Sequence, residues 1–134
     1  MSVHSLRPEL RCAVEAARRK QAEDITVLDL RKLAAFTEHF LICTGLSHPQ
    51  IRAISDEIEE QLEKIGVIRA RREGDRRSAD WILLDYGSFV VHVFAERARL
   101  YYDLERLWRA APRVHLPDSA AASAPDATAA SAQP

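Results

Sequence analysis

The run Asp80–Trp108, D-W-I-L-L-D-Y-G-S-F-V-V-H-V-F-A-E-R-A-R-L-Y-Y-D-L-E-R-L-W, constrains the fold more than any other part of this chain. Two apolar segments of seven residues each, Asp80–Tyr86 and Phe89–Ala95, meet at Tyr86-Gly87-Ser88, where Gly87 can supply the positive φ of a tight turn. Their Val, Ile and Phe content suits a pleated surface, so the pair reads as a hairpin. After Ala95 the period changes. Leu100, Tyr101, Leu104, Leu107 and Trp108 fall on one face of a helix, which predicts packing of that helix onto the sheet. Both tryptophans and all three tyrosines lie in this strand, turn, strand, helix unit.

The preceding chain supplies the rest of an α/β domain. Pro8 is compatible with the first turn of a helix, and Leu10, Ala13, Val14 and Ala17 follow at helical spacing. Asp24–Leu30 reads as a strand, and the Phe40–Cys43 run, with no polar face, reads as a central strand covered on both sides. Ser47-His48-Pro49-Gln50 is a helix-start signal in which Ser47 caps and Gln50 returns the bond. Ile51, Ile54, Ile58, Leu62 and Ile65 form that helix's buried stripe, Asp56, Glu57, Glu59, Glu60 and Glu63 its acidic outer face, and Gly66 its stop. The helix reads as a crossover to a parallel strand at Val67–Glu73, half exposed and suited to an edge. The expected whole is a single α/β domain with a five-stranded mixed sheet flanked by helices over residues 1–111. From Pro112 the composition falls to Ala, Ser, Pro, Asp and Thr, so residues 112–134 read as a disordered tail.

Composition narrows the function. The chain has 134 residues and a formal charge of −1, which argues against generic nucleic-acid binding. No apolar run approaches the roughly 18 residues of a membrane span, and the N-terminus has no apolar signal core, so a cytoplasmic protein is expected. Cys12 and Cys43 are too few for a disulfide framework and have no metal-type spacing.

Candidate chemistry is sparse. Asp29, Asp80 and Asp85 are single carboxylates at three strands; converging, they could serve a metal-dependent nucleotidyl- or phosphoryl-transferring domain, and separately they would bond backbone amides or a nearby Arg. No Walker loop, H-E-x-x-H or nucleophile elbow is present, and His39, His48 and His115 have no metal spacing. His92, flanked by valines, reads as a structural histidine or an acid–base group. Arg69, Arg71, Arg72, Arg76 and Arg77 form a local basic cluster that suits either a solvated edge or a minor contact with RNA phosphates. Trp81 and Tyr86 are either core residues or interface anchors, and strand alternation puts Trp81, Leu83 and Asp85 on one face and Ile82, Leu84 and Tyr86 on the other. Arg99 and Glu105 are spaced for a structural ion pair.

Several motifs in order carry a resemblance. W-x-L-x-D-x-G-x-x-V-V-H-x-F runs from Trp81 to Phe94, and R-x-x-Y-x-L-E-x-L-W ends at Trp108. D-I-T-V-L-D-L at Asp24–Leu30, T-E-H-F-L-I-C-T-G at Thr37–Gly45 and Glu73-Gly74 precede them. The chain resembles the ribosomal silencing factor family, the Iojap-like proteins, over roughly Ala16 to Trp108. It departs at Ser88, where the family commonly has Asp. The resemblance implies a nucleotidyltransferase-like α/β fold without catalytic activity, cofactor or metal. It implies a translation repressor that binds ribosomal protein L14 on the large subunit and blocks joining of the small one. It makes Trp81 and Tyr86 the interface anchors, with Leu84, His92 and Phe94 as secondary contacts, and makes self-association as a homodimer plausible.

Overall fold

The computed structural model describes residues 6–34, 36–74 and 77–116. Helix α1 covers Pro8–Arg19, with Pro8 in its first turn, and buries Leu10, Ala13, Val14, Ala16 and Ala17. Strand β1, Glu23–Asp29, carries a bulge beside Asp24, whose φ is 54°. Strand β2, His39–Gly45, is buried at every position, as a strand without a polar face requires. Helix α2, His48–Lys64, starts where Ser47 Oγ accepts from the Gln50 amide at 3.1 Å. Gln50 does not return that bond to Ser47. Its Oε1 accepts from the Leu46 amide, and its Nε2 donates to the Lys20 and Gln21 carbonyls, tying the end of α1 to the start of α2. Gly66, at φ 83°, ends α2, and Val67 N–H bonds back to the Leu62 carbonyl.

Strands β3 (Arg71–Glu73), β4 (Trp81–Asp85) and β5 (Phe89–Ala95) form an antiparallel meander, and the five-stranded mixed sheet has the order β1-β2-β5-β4-β3. The β4–β5 turn is the expected one: Gly87 has φ 83°, and Asp85 Oδ1 accepts from its amide at 2.8 Å. The crossover expectation needs correction. The parallel neighbour of β2 is β5, with His39 opposite Phe89 and Gly45 opposite Ala95, while β3 lies at the far edge, paired only to β4. It is also shorter than Val67–Glu73, and Ile68 is exposed. Two strands that return through a tight turn can enter between a crossover strand and its origin, and local periodicity carries no signal of that insertion.

One sheet face is covered by α1 and α2, with Val27, Leu41, Cys43, Ile82, Leu84, Phe89, Val91 and Val93 in that core. The opposite face presents Leu28, Phe40, Ile42, Val90 and Phe94 to a thinner cover. The expected single helix after Ala95 is two: α3, Glu96–Tyr102, and the one-turn α4, Leu104–Leu107, separated by Asp103 in the left-handed conformation at φ 49°. The kink turns Leu104 and Trp108 onto the sheet and leaves Leu100, Tyr101 and Leu107 more than two-thirds exposed, so the apolar stripe read as core is only partly core. Packing continues past Ala111: Val114 is buried, its amide bonds to Val27, and Asp29 N–H bonds to the Pro112 carbonyl. The disordered tail expected over 112–134 lies outside the described residues from 117 onward. Among the described residues no helix is long and apolar enough to cross a membrane.

Candidate protein-docking face

The thinly covered sheet face carries a connected row of aromatic rings. Alternation in β4 and β5 sends Trp81, Leu83, His92 and Phe94 to this side, and Phe40 of β2 lies beside them. The Trp81 ring is 4.8 Å from Phe94 and 4.6 Å from Tyr102, and Tyr102 meets Tyr101 edge-on at 5.0 Å. Phe40 contacts His92 edge-on at 4.5 Å and Trp108 at 6.0 Å, and Phe36 stands 6.0 Å from Trp108. Trp81, Leu83 and Trp108 are half-buried, while Phe36 and Tyr102 are exposed. Such rings have much apolar area and little rotamer entropy to lose, which is the composition of interface anchors.

His92 is fixed within this row. Trp81 Nε1–H donates to His92 Nδ1 at 3.1 Å, so the ring proton of the neutral imidazole sits on Nε2. Burial pushes the His92 pKa down to about 4, and no carboxylate opposes that shift. His92 therefore orients the indole rather than exchanging protons near neutrality.

The five residues singled out by sequence divide. Trp81, His92 and Phe94 belong to the row. Leu84 and Tyr86 face the α1–α2 side, and Tyr86 stacks on Phe89 at 4.9 Å with an interplanar angle of 12°. Trp81 and Tyr86 thus do not share a face. Leu84 and Phe94 are wholly buried and offer a partner no surface; Phe94 supports Trp81 from beneath. Burial pushes the Tyr86 hydroxyl up to about 12. Phe36, Phe40 and Tyr102 join the row unannounced, because their place depends on the β2–β5 pairing and the α3 position.

The other candidates have local partners. Asp29 accepts from the Arg31 backbone and guanidinium, which hold its pKa down at about 2. Asp80 pairs with His48 at 3.0 Å, and Asp85 serves the turn amide and faces Arg71. The three carboxylates do not converge, and among the described residues no group of three His, Cys, Asp or Glu could hold a metal ion. In the basic cluster, Arg69 pairs with Glu59, Arg71 with Glu73, and Arg72 with Asp56 and Glu59. The acidic face of α2 is thereby partly neutralised within the fold. Arg76 lies outside the described residues, and Arg77 is exposed.

Comparison with known proteins agrees with the motif reading. The model of a family described as ribosomal silencing factor during starvation matches residues 3–134. The ribosomal silencing factor of Bacillus subtilis is 42% identical over 107 residues, covering 80% of this chain and 90% of its own. The chloroplastic Iojap protein of Zea mays is 37% identical over 77% of this chain and 44% of its own. A crystal structure of a Chromobacterium violaceum protein superposes with a TM-score of 0.73 at 30% identity, covering 88% of this chain and 92% of that one.

Proposed function

We propose that this chain, which belongs to the ribosomal silencing factor family, represses translation by binding the large ribosomal subunit through ribosomal protein L14 and sterically blocking the small subunit. The observation that supports the reading is the aromatic row centred on Trp81, on a sheet face that the chain's own helices leave partly open. A protein partner of ordinary interface size, on the order of 1,600 Å² in total, is enough, and the work is done by occupancy rather than by a reaction. The site of action is the cytoplasm, where the subunits join. Trp81 is the central anchor, His92 its positioning residue, and Phe94 its support. Tyr86 and Leu84 act from the opposite side by keeping β4 seated.

The test is sedimentation of purified subunits with wild type, Trp81→Ala and Tyr86→Phe. Wild type is expected to travel with the large subunit and prevent joining. Folded Trp81→Ala is expected to lose ~2 kcal/mol or more of binding, about thirtyfold, and Tyr86→Phe to behave as wild type. A wild type that neither binds nor blocks ends the silencing reading. A folded Trp81→Ala that still blocks moves the interface elsewhere.

A further inference from the structure

We propose that the corner formed by α3 and α4 is a contact surface for single-stranded RNA, with Tyr101 as stacking platform and Arg97, Arg106 and Arg109 at the phosphates. The proposal rests on the reading that the chain works on a ribosomal subunit, and it moves RNA contact away from Arg69, Arg71 and Arg72, whose charges are met inside the fold. Arg97, Arg106 and Arg109 are all exposed, and none has a carboxylate within ion-pair distance among the described residues. Between them Tyr101 is 80% exposed and Tyr102 49%. The Tyr101–Tyr102 pair separates two clefts. One, of about 490 Å³, adjoins the docking face and is walled by Asp80, Trp81 and Arg97; the other, of about 570 Å³, is walled by Asp103, Arg106, Leu107 and Arg109.

The charges decide between RNA and a second protein. A protein lid over this corner would have to bring a carboxylate to each guanidinium or bury it unpaired, which is costly. An RNA strand brings a phosphate with every nucleotide, and any base can stack on a tyrosine ring. Leu100 and Leu107, exposed beside the rings, give apolar surface to sugars and base edges. Of the nearby carboxylates Glu105 is held by Arg99 and Arg113, whereas Asp80, on the wall of the first cleft, is exposed and has only His48 as partner. Glu96 and Asp103 remain, so binding is modest and salt-sensitive.

The experiment is fluorescence anisotropy of labelled short oligoadenylate and oligouridylate across a salt series, beside sedimentation with large subunits and pull-down with isolated L14. Three phosphate contacts on a single strand predict a slope of log K against log salt near about −2. The triple variant Arg97→Gln/Arg106→Gln/Arg109→Gln is expected to flatten that slope and weaken binding at least ~10-fold at low salt. Tyr101→Leu is expected to weaken it roughly 5- to 100-fold with the slope unchanged. Arg69→Gln/Arg71→Gln is expected to leave both unchanged, and the triple variant is expected to keep its binding to L14. No RNA binding by folded wild type at low salt, or a triple variant with the wild-type slope, overturns the proposal. So does a large-subunit affinity lowered by Leu100→Ser/Leu107→Ser but not by the triple variant, which would mean that a protein covers the corner. A wild type that binds RNA through these residues but ignores L14 and the subunits would sink the silencing reading and leave the RNA surface standing.

Discussion

His92 links the chemistry of the docking face to pH. In the unfolded chain a histidine titrates near about 6.5, whereas burial holds the folded ring down at about 4. Between those values the unfolded chain binds the extra proton and the folded one does not. Stability is therefore insensitive to His92 above pH ~6.5, falls as pH drops from ~6.5 to ~4, and levels off below. The full effect is up to about 3 kcal/mol. Burial lowers the pKa of His39 as well, so the useful quantity is the difference between wild type and His92→Phe. Urea unfolding at pH 7 and pH 4.5, taken here as about the ends of the window, should show the variant losing less stability than wild type on acidification. Equal losses would mean that His92 titrates normally. Protonation would also turn Nδ1 into a donor and break its bond from Trp81. On the other face, Tyr86→Ala removes a ring stacked on Phe89 and is expected to lower unfolding free energy by about 3 kcal/mol. Chemical denaturation checks this; a near-neutral result would mean that the ring contributes little to the core. The alternation that separates Tyr86 from Trp81 was legible from β4 alone, because side chains on a strand have period two. The partners of each were not, because they come from other elements.

At the scale of elements, α3 is anchored by one side chain. Arg99 is 7% exposed and its guanidinium is fully engaged. It forms a two-point pair with Glu105 at 3.1 and 3.0 Å, and donates to Thr44, Thr26 and the Asp24 carbonyl. It joins α3 to α4, to β2 and to the bulge of β1. Arg99→Leu leaves Glu105 with Arg113 alone, removes the donor to both threonine hydroxyls and the Asp24 carbonyl, and is expected to cost on the order of 3 kcal/mol. Arg99→Lys should recover part of this, since charge is kept but the planar fork is lost. Thermal and urea unfolding of both variants check it; equal stability of Leu and Arg would remove Arg99 from this role. The glycines bordering β4 divide in the same way. A Cβ at Gly74 would meet the Trp81 carbonyl oxygen at 2.0 Å, whereas one at Gly87 meets nothing within 4 Å, although both have φ 83°. Gly87→Ala should cost only backbone strain, ~1–2 kcal/mol. Gly74→Ala should cost more, since β3 must shift from β4, and comparative unfolding tests the order. The need for positive φ at Gly87 was readable from its hairpin, but the close approach at Gly74 was not. It is a contact between segments.

For the whole molecule, the question is where the domain stops. The composition changes at Pro112, yet Val114 sits in the α1–α2 core and residues 112–114 lie along the outer edge of β1. A chain ending at Ala111 is expected to lose about 2–4 kcal/mol, from one buried valine and two backbone hydrogen bonds, whereas a chain ending at Leu116 should keep them. Melting temperatures of the two truncations decide the matter, and equal values would put the boundary back at Ala111. By itself the sequence determined the order of the five strands and of the first two helices along the chain, the seating of β2, the cap and stop of α2, the hairpin turn and the family. Each of these depends on residues close in the chain, through periodicity, a capping hydroxyl or a glycine at positive φ, or on motif order. Only the tertiary structure decided the sheet order, the kink at Asp103 that exposes Tyr101 and Leu107, the partners that surround Trp81 and Tyr86, and, among the described residues, which arginines keep an unmatched charge. Those outcomes depend on pairings between distant segments, whose energies belong to both partners and leave no trace in either one alone.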